Sequence, residues 1–189
     1  MCREYRGVEP VGRGPVVVVV DESGSMEGPK INNAKALALA CAWIAKHQRR
    51  WIALVGYSGG CEGTRIALPP AKWDEGALMD WLAHFYSNGT ECDVPVAELA
   101  AVYWPEFIAQ GLPRGKTDVI IITDAQAVIS LAAIKAFNAW RAAEKARVTT
   151  LVVHGHCAGD LAEISDQVHF PPMIDVDQEA VGKALEEIG

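Results

Sequence analysis

The hydrophobic pattern of the chain is a set of short apolar runs alternating with longer segments of helical period. The clearest run, Val16-Val17-Val18-Val19-Val20, does not alternate with polar residues, so both faces of that strand are expected to be covered, as in a parallel sheet. Further strands are expected at about 51–55, 117–123, 148–153 and 168–170, with a short edge strand from Thr64 to Leu68 that ends at Pro69-Pro70. Between them the period changes to that of helices. Ala34, Leu37, Ala38, Cys41, Ile44 and Ala45 mark one face of a helix over about 30–47, entered through Gly28 and Pro29. Asp74 is the expected N-cap of a helix over about 75–85, with Trp73 and Leu78 as its hydrophobic staple. Asp93 is placed to cap a helix over about 94–103, and Glu106 to Lys116 reads as a connector. Ser130 is the expected cap of a helix with Ala133, Ala136, Phe137 and Trp140 on its buried face and Ile129 and Ile134 as its staple. A last helix is expected over about 178–188.

Strands that alternate with helices imply an α/β fold: a Rossmann-like, doubly wound, mostly parallel sheet of six strands with helices on both faces. Residues 1–14, polar and rich in Gly and Pro, read as an extended lead-in, and residues 15–189 as a single domain. With strand order 3-2-1-4-5-6 and one antiparallel edge strand, strands 1 and 4 are neighbours at the switch point, where ligands bind outside the carboxyl ends.

Composition narrows the function. The formal net charge is −7, which disfavours nucleic acid and anionic membranes as partners, since both are held by cationic side chains. No apolar stretch reaches the ~20 residues of a membrane span, and Met1-Cys2-Arg3-Glu4-Tyr5 does not open a secretory signal. Cys2, Cys41, Cys61, Cys92 and Cys157 are scattered and odd in number, which fits reduced thiols in a cytoplasmic protein, with Cys41 in the core.

The candidate chemistry lies where the strands end. The valine run delivers Asp21-Glu22-Ser23-Gly24-Ser25-Met26, and Ile120-Ile121-Ile122-Thr123 delivers Asp124. Thr90 lies on the loop Tyr86-Ser87-Asn88-Gly89-Thr90. Mg²⁺ takes six oxygens and gives up water reluctantly, so carboxylates and hydroxyls brought together at strand ends suit it. A shell rich in neutral hydroxyls leaves the cation short of negative charge and favours an incoming carboxylate. The alternative is structural, with Asp21 and Ser25 capping the following helix.

Asp21, Ser23, Ser25, Thr90 and Asp124 together resemble the metal-ion-dependent adhesion site of von Willebrand factor A (VWA) domains, whose pattern is D-x-S-x-S, a distant Thr and a distant Asp. The resemblance runs from about Gly14 to the end of the chain. Asn88-Gly89 before the threonine, Ala125 after the second aspartate, and Glu22 inside the first motif depart from residues frequent in the family. The resemblance implies a non-catalytic protein-binding module, with Mg²⁺ (or Mn²⁺ or Ca²⁺) bridging to an Asp or Glu of a partner. Glu22, Met26, Asn88, Gly89, Glu91 and Ala125 surround the ligands and are the expected partner contacts. Tyr5-Arg6-Gly7 and Gly12-Arg13-Gly14-Pro15 ahead of the strand are similar to a bacterial branch that includes CoxE-like and ViaA-like proteins. That branch implies a MoxR-family AAA+ ATPase as partner, and a bacterial or phage origin.

Other readings compete. Gly56-Tyr57-Ser58-Gly59-Gly60 matches the G-x-S-x-G elbow of serine hydrolases, and Asp124 and His154 would complete the order Ser, Asp, His. The elbow, however, leads at once into a helix, whereas Cys61-Glu62-Gly63-Thr64 reads as a turn into another strand. Ser23 stands where an aspartyl phosphotransferase needs a second Asp, and neither a G-x-G-x-x-G nor a Walker loop is present. His154-Gly155-His156-Cys157 offers ligand types suited to Zn²⁺ but no fourth ligand at useful spacing. The six tryptophans are expected in core or half-buried positions. A structural subunit with a vestigial metal site remains the bland alternative.

Overall fold

The computed structural model describes residues 14–59, 63–70, 72–89, 93–124, 128–154 and 159–171. Six strands form one sheet: β1 (Val16–Asp21), β2 (Ile52–Tyr57), β3 (Thr64–Leu68), β4 (Asp118–Thr123), β5 (Arg147–Val152) and β6 (Gln167–His169). Their order is β3-β2-β1-β4-β5-β6, parallel throughout except for the antiparallel β2–β3 pair. This is the sheet expected from the sequence. The valine run divides between two cores because successive side chains point to opposite faces. Val17 and Val19 pack with Val55, Ile121, Phe107 and Phe137, and Val16, Val18 and Val20 with Leu54, Ile122, Leu78 and Trp81.

On the second face lies α1 (Pro29–His47), which starts with proline at its first turn. Ala34, Ala38, Ala42 and Ala45 are wholly buried against the sheet. That small-residue face is rotated from the one expected: Leu37 and Cys41 are only partly buried at its border, and Ile44 is exposed. Burial still raises the pKa of the Cys41 thiol, which makes it a poor nucleophile at neutral pH.

The helix α2 (Glu75–Ala83) is capped as expected, with Asp74 Oδ1 accepting from Ala77 N at 2.9 Å. Asp74→Ala is therefore expected to lower stability by ~1 kcal/mol in denaturant melts, through loss of that cap. On the first face α3 (Asp93–Glu98) continues through a π-helical turn (Leu99–Tyr103) into α4 (Trp104–Ala109). The expected connector from Glu106 is thus helical up to Ala109. Arg65 on β3 holds Glu106 with two hydrogen bonds, at 2.5 and 3.0 Å, and draws that turn onto the sheet edge. In α5 (Leu131–Glu144), Ser130 Oγ caps Ala133 N, and Ile129, Ile134 and Phe137 are buried, whereas Ala136 faces solvent. A short α6 (Leu161–Ile164), not foreseen from the sequence, buries both its ends.

Trp81 and Trp104 are core residues and Trp51, Trp73 and Trp140 half-buried, but Trp43 is exposed. Among the described residues no helix is long and apolar enough to cross a membrane. The expected helix over 178–188 lies outside them.

Candidate metal centre

Strands β1 and β4 pair in register, Val20 against Ile122, so the residues that follow them leave the sheet side by side. Asp21 is fully buried. Its Oδ1 accepts from Ser23 N at 2.9 Å and its Oδ2 from Thr123 Oγ1 at 2.7 Å. Thr123 immediately precedes Asp124, so one hydroxyl ties the two strand ends together. Beyond Asp21 the chain turns through Gly24–Met26, a single 3₁₀ turn. Met26 anchors that turn in the core at 0% exposure, while Ser25 is exposed. Ser23 Oγ and Ser25 Oγ lie 3.1 Å apart. Two hydroxyl oxygens thus face each other beside two carboxylates.

The third segment of the site docks through its backbone. Gly24 N donates to Asn88 O at 2.7 Å and Ser87 N to Glu22 O at 3.0 Å. Gly59 N and Ser58 Oγ both donate to Gly89 O, the latter at 3.1 Å. The peptide chain leading to Thr90 is therefore fixed against the Ser23 turn. Thr90 itself lies outside the described residues, as do Glu91, Ala125, His156 and Cys157.

Electrostatically the pocket is under-compensated. Burial is the main reason that the Asp21 carboxyl titrates above its usual range. The hydrogen bonds from Ser23 and Thr123 oppose the shift, and the negative charge of Asp124 adds to it. Asp124 is 5% exposed, and its Oδ2 accepts from Lys30 Nζ at 2.9 Å. Its Oδ1 is buried and without a hydrogen-bond partner among the described residues. An orphaned carboxylate oxygen is costly unless something pairs with it. A second buried carboxylate and two hydroxyls beside it make a donor set that fits a hard divalent cation. Ser23, Ser25, Asp21 and Asp124 are the residues that would hold it, directly or through water. Its chemistry there would be that of a Lewis acid with a position open to an external oxygen. No group of three or more His, Cys, Asp and Glu gathers among the described residues, and the candidate here rests on two carboxylates with hydroxyls beside them.

Two expected partner contacts are corrected. Met26 is a core residue. Glu22 is buried too, with no surface to offer: its Oε1 accepts from Lys35 Nζ at 2.5 Å and its Oε2 pairs with His84 Nδ1 at 2.9 Å. Gly56 makes room for it, because a Cβ there would fall inside the van der Waals envelope of Glu22 Oε1. Lys35 also donates to Trp81 O at 2.9 Å and lies over the Trp81 ring. Burial lowers the Lys35 pKa, against the opposing pull of Glu22. Asn88 and Gly89 remain exposed beside the turn. Sequence reasoning missed Lys30, Lys35 and His84. Lys30 and Lys35 stand on the helix that follows the Asp21 motif, but their contacts with Asp124 and Glu22 arise only in the fold.

The hydrolase alternative loses its nucleophile. Ser58 is fully buried, and its hydroxyl is committed to Gly89 O. His154 is exposed, with left-handed backbone at φ 64°.

No protein-family model matches the chain. Two curated relatives, the uncharacterized proteins MJ0811 and MJ0077 of Methanocaldococcus jannaschii, are 25% and 26% identical over 157 and 154 residues. These alignments cover 82% and 81% of this chain but 34% and 36% of the relatives, so the chain spans about a third of their length. Among solved structures, the SpRpn10 VWA domain superposes with a TM-score of 0.61 over 92% of this chain and 95% of that one, at 7% identity. The fold is VWA-like. Proximal thread matrix protein 1 of the mussel byssus, in a form with a zinc-occupied MIDAS motif, gives 0.59 over 82% of this chain and 41% of that one, at 16% identity. BatB from Bacteroides thetaiotaomicron gives 0.58 over 92% and 98%, also at 16% identity. With a VWA-like fold, the paired ends of β1 and β4 form the crevice at the switch point of the sheet, and Asp21 and Asp124 both stand there.

Proposed function

We propose that this chain is a non-catalytic, divalent-metal-dependent protein-binding module. In this reading residues 15–189 form a single VWA domain, and Asp21, Ser23, Ser25, Thr90 and Asp124 hold Mg²⁺, or Mn²⁺ or Ca²⁺ in its place. The observation that carries it is the buried Oδ1 of Asp124, unpaired among the described residues, which shares one crevice with Asp21 and the Ser23–Ser25 hydroxyl pair. The VWA-like fold supports the interaction role, and the zinc-occupied MIDAS motif of the mussel protein supports metal binding in such folds.

The chemistry of the donors suggests what is recognised. The hydroxyls of Ser23 and Ser25 are neutral and add no negative charge to the shell, so a hard cation held there keeps affinity for one more anionic oxygen, and Ser25 marks the exposed side of the pocket. An Asp or Glu side chain of a partner protein completes the coordination there, with Asn88 and Gly89 as contacts beside it. Similarity to the CoxE-like and ViaA-like branch supports a MoxR-family AAA+ ATPase as the machine this module serves, in the cytoplasm. Glu91 and Ala125 remain proposed contacts through their places next to Thr90 and Asp124.

Thermal melts test the metal. Mg²⁺ added to EDTA-stripped protein is expected to raise Tm by several degrees, since a ligand at about 100 times its Kd stabilises by ~2.7 kcal/mol. Asp124→Ala should show no such shift. A shift of wild-type size in that variant, or none in the wild type, contradicts the proposal. Capture of the purified AAA+ partner should require Mg²⁺ and be reversed by EDTA.

A further inference from the structure

The candidate centre already contains a cation. Lys30, on the first turn of α1, reaches across the pocket so that Nζ donates to Ser25 O and to Asp124 Oδ2, each at 2.9 Å. Asp124 has a side chain only 2% exposed, whereas that of Lys30 is 28% exposed, so the ammonium comes in from the solvent side. It bridges the turn that carries one candidate ligand and the strand end that carries another. Asp21 has no ion pair among the described residues, which makes Lys30 the internal counter-charge of the pocket.

We propose that Lys30 is a built-in competitor for the metal, resting on the metal-site reading above. It neutralises Asp124 in the metal-free protein and must leave when a divalent ion enters. An ammonium that remained within hydrogen-bonding distance of Asp124 would repel a dication on the same carboxylate, and in a half-buried site that repulsion is weakly screened. The flexible stem of lysine and its exposure give the ammonium a short path to water. Once released, Lys30 lies on the open side of the centre, where the carboxylate of an acidic partner would arrive. Metal entry thereby converts an internal ion pair into a free cation suited to a second contact with that partner.

The test is Mg²⁺ titration by calorimetry, with melts in EDTA, on the wild type, Lys30→Met and Lys30→Arg. Methionine retains the apolar stem without the charge. The metal-free Lys30→Met protein is expected to melt below the wild type, because Asp124 loses its partner. It should nevertheless bind Mg²⁺ more tightly, by roughly 10- to 100-fold, the worth of one charged hydrogen bond. Lys30→Arg retains the charge and should gain nothing. A purely structural lysine would weaken both properties together, so the opposite signs are diagnostic. If the wild type binds Mg²⁺ and Lys30→Met binds it equally or less well, the competitor role is overturned while the metal site stands. If neither protein binds, the metal reading falls and the inference with it.

Discussion

Glu22→Ala is expected to destabilise the fold by ~3–5 kcal/mol, the range found when one partner of a buried ion pair is removed. Glu22 is fully buried, and both its carboxylate oxygens are engaged, by Lys35 and His84. Truncation leaves the Lys35 ammonium at the base of α1 with only Trp81 O and the Trp81 ring for company. It also opens a void above Gly56, since the glutamate fills the space that a glycine leaves free. Denaturant melts in EDTA measure this effect without any contribution from metal. The double change Glu22→Leu with Lys35→Met should recover much of the loss, because replacing a whole buried pair by apolar groups is often neutral. If Glu22→Ala costs less than about 1 kcal/mol, the surface magnitude, then Glu22 is not buried in solution. The position matters because Glu22 sits between Asp21 and Ser23 and its carbonyl holds Ser87 N. Its side chain also holds His84 ahead of that loop, so loss of the pair should loosen the segment that leads to Ser87.

Asp21→Asn is expected to separate stability from metal response. Burial holds the Asp21 carboxyl above its ordinary pKa, despite hydrogen bonds from Ser23 and Thr123. The folded state then binds more protons than the unfolded one between the ordinary value of 3.8 and the raised value. Stability consequently falls as pH rises through that window, and the unfavourable term is fully present at neutral pH. An isosteric neutral side chain removes it. Metal-free Asp21→Asn should melt at or above the wild type at pH 7, and the difference should shrink on acidification. In Mg²⁺ the order reverses, because the wild type gains the binding energy and the variant does not. An Asp21→Asn protein that is less stable in EDTA at pH 7 would contradict the assignment of Asp21 as a destabilising charge.

The sheet was legible from the sequence because its signals are local and redundant. The Val16–Val20 run, the Ile120–Ile122 run and the caps Asp74 and Ser130 each name an element by short-range chemistry, and alternation with helices implies a parallel sheet. The helix from Asp93 to Ala109 was under-read, because its π-helical turn breaks the 3.6-residue period near Tyr103. The face of α1 was misjudged because alanine, the residue actually buried, carries little hydrophobic signal beside Leu37 and Ile44. At the candidate centre the carboxylates and hydroxyls were legible, since the spacing of Asp21, Ser23 and Ser25 follows directly from a strand end. Their counter-charges were not. Nothing in the spacing of Lys30 to Asp124, or of His84 to Glu22, declares a contact that only the fold creates. Glu22 and Met26 illustrate the same limit: a residue inside a surface motif can turn inward when the strand pairing beneath it demands it.

The most direct measurement is anomalous diffraction from crystals of the full chain grown or soaked in Mn²⁺. The expected result is one strong peak between the Ser23 and Ser25 hydroxyls and the Asp21 and Asp124 carboxylates, with the Lys30 ammonium withdrawn. Absence of a peak in that crevice at saturating Mn²⁺, or a peak held instead by the segment around His154, would contradict a metal centre at the paired ends of β1 and β4.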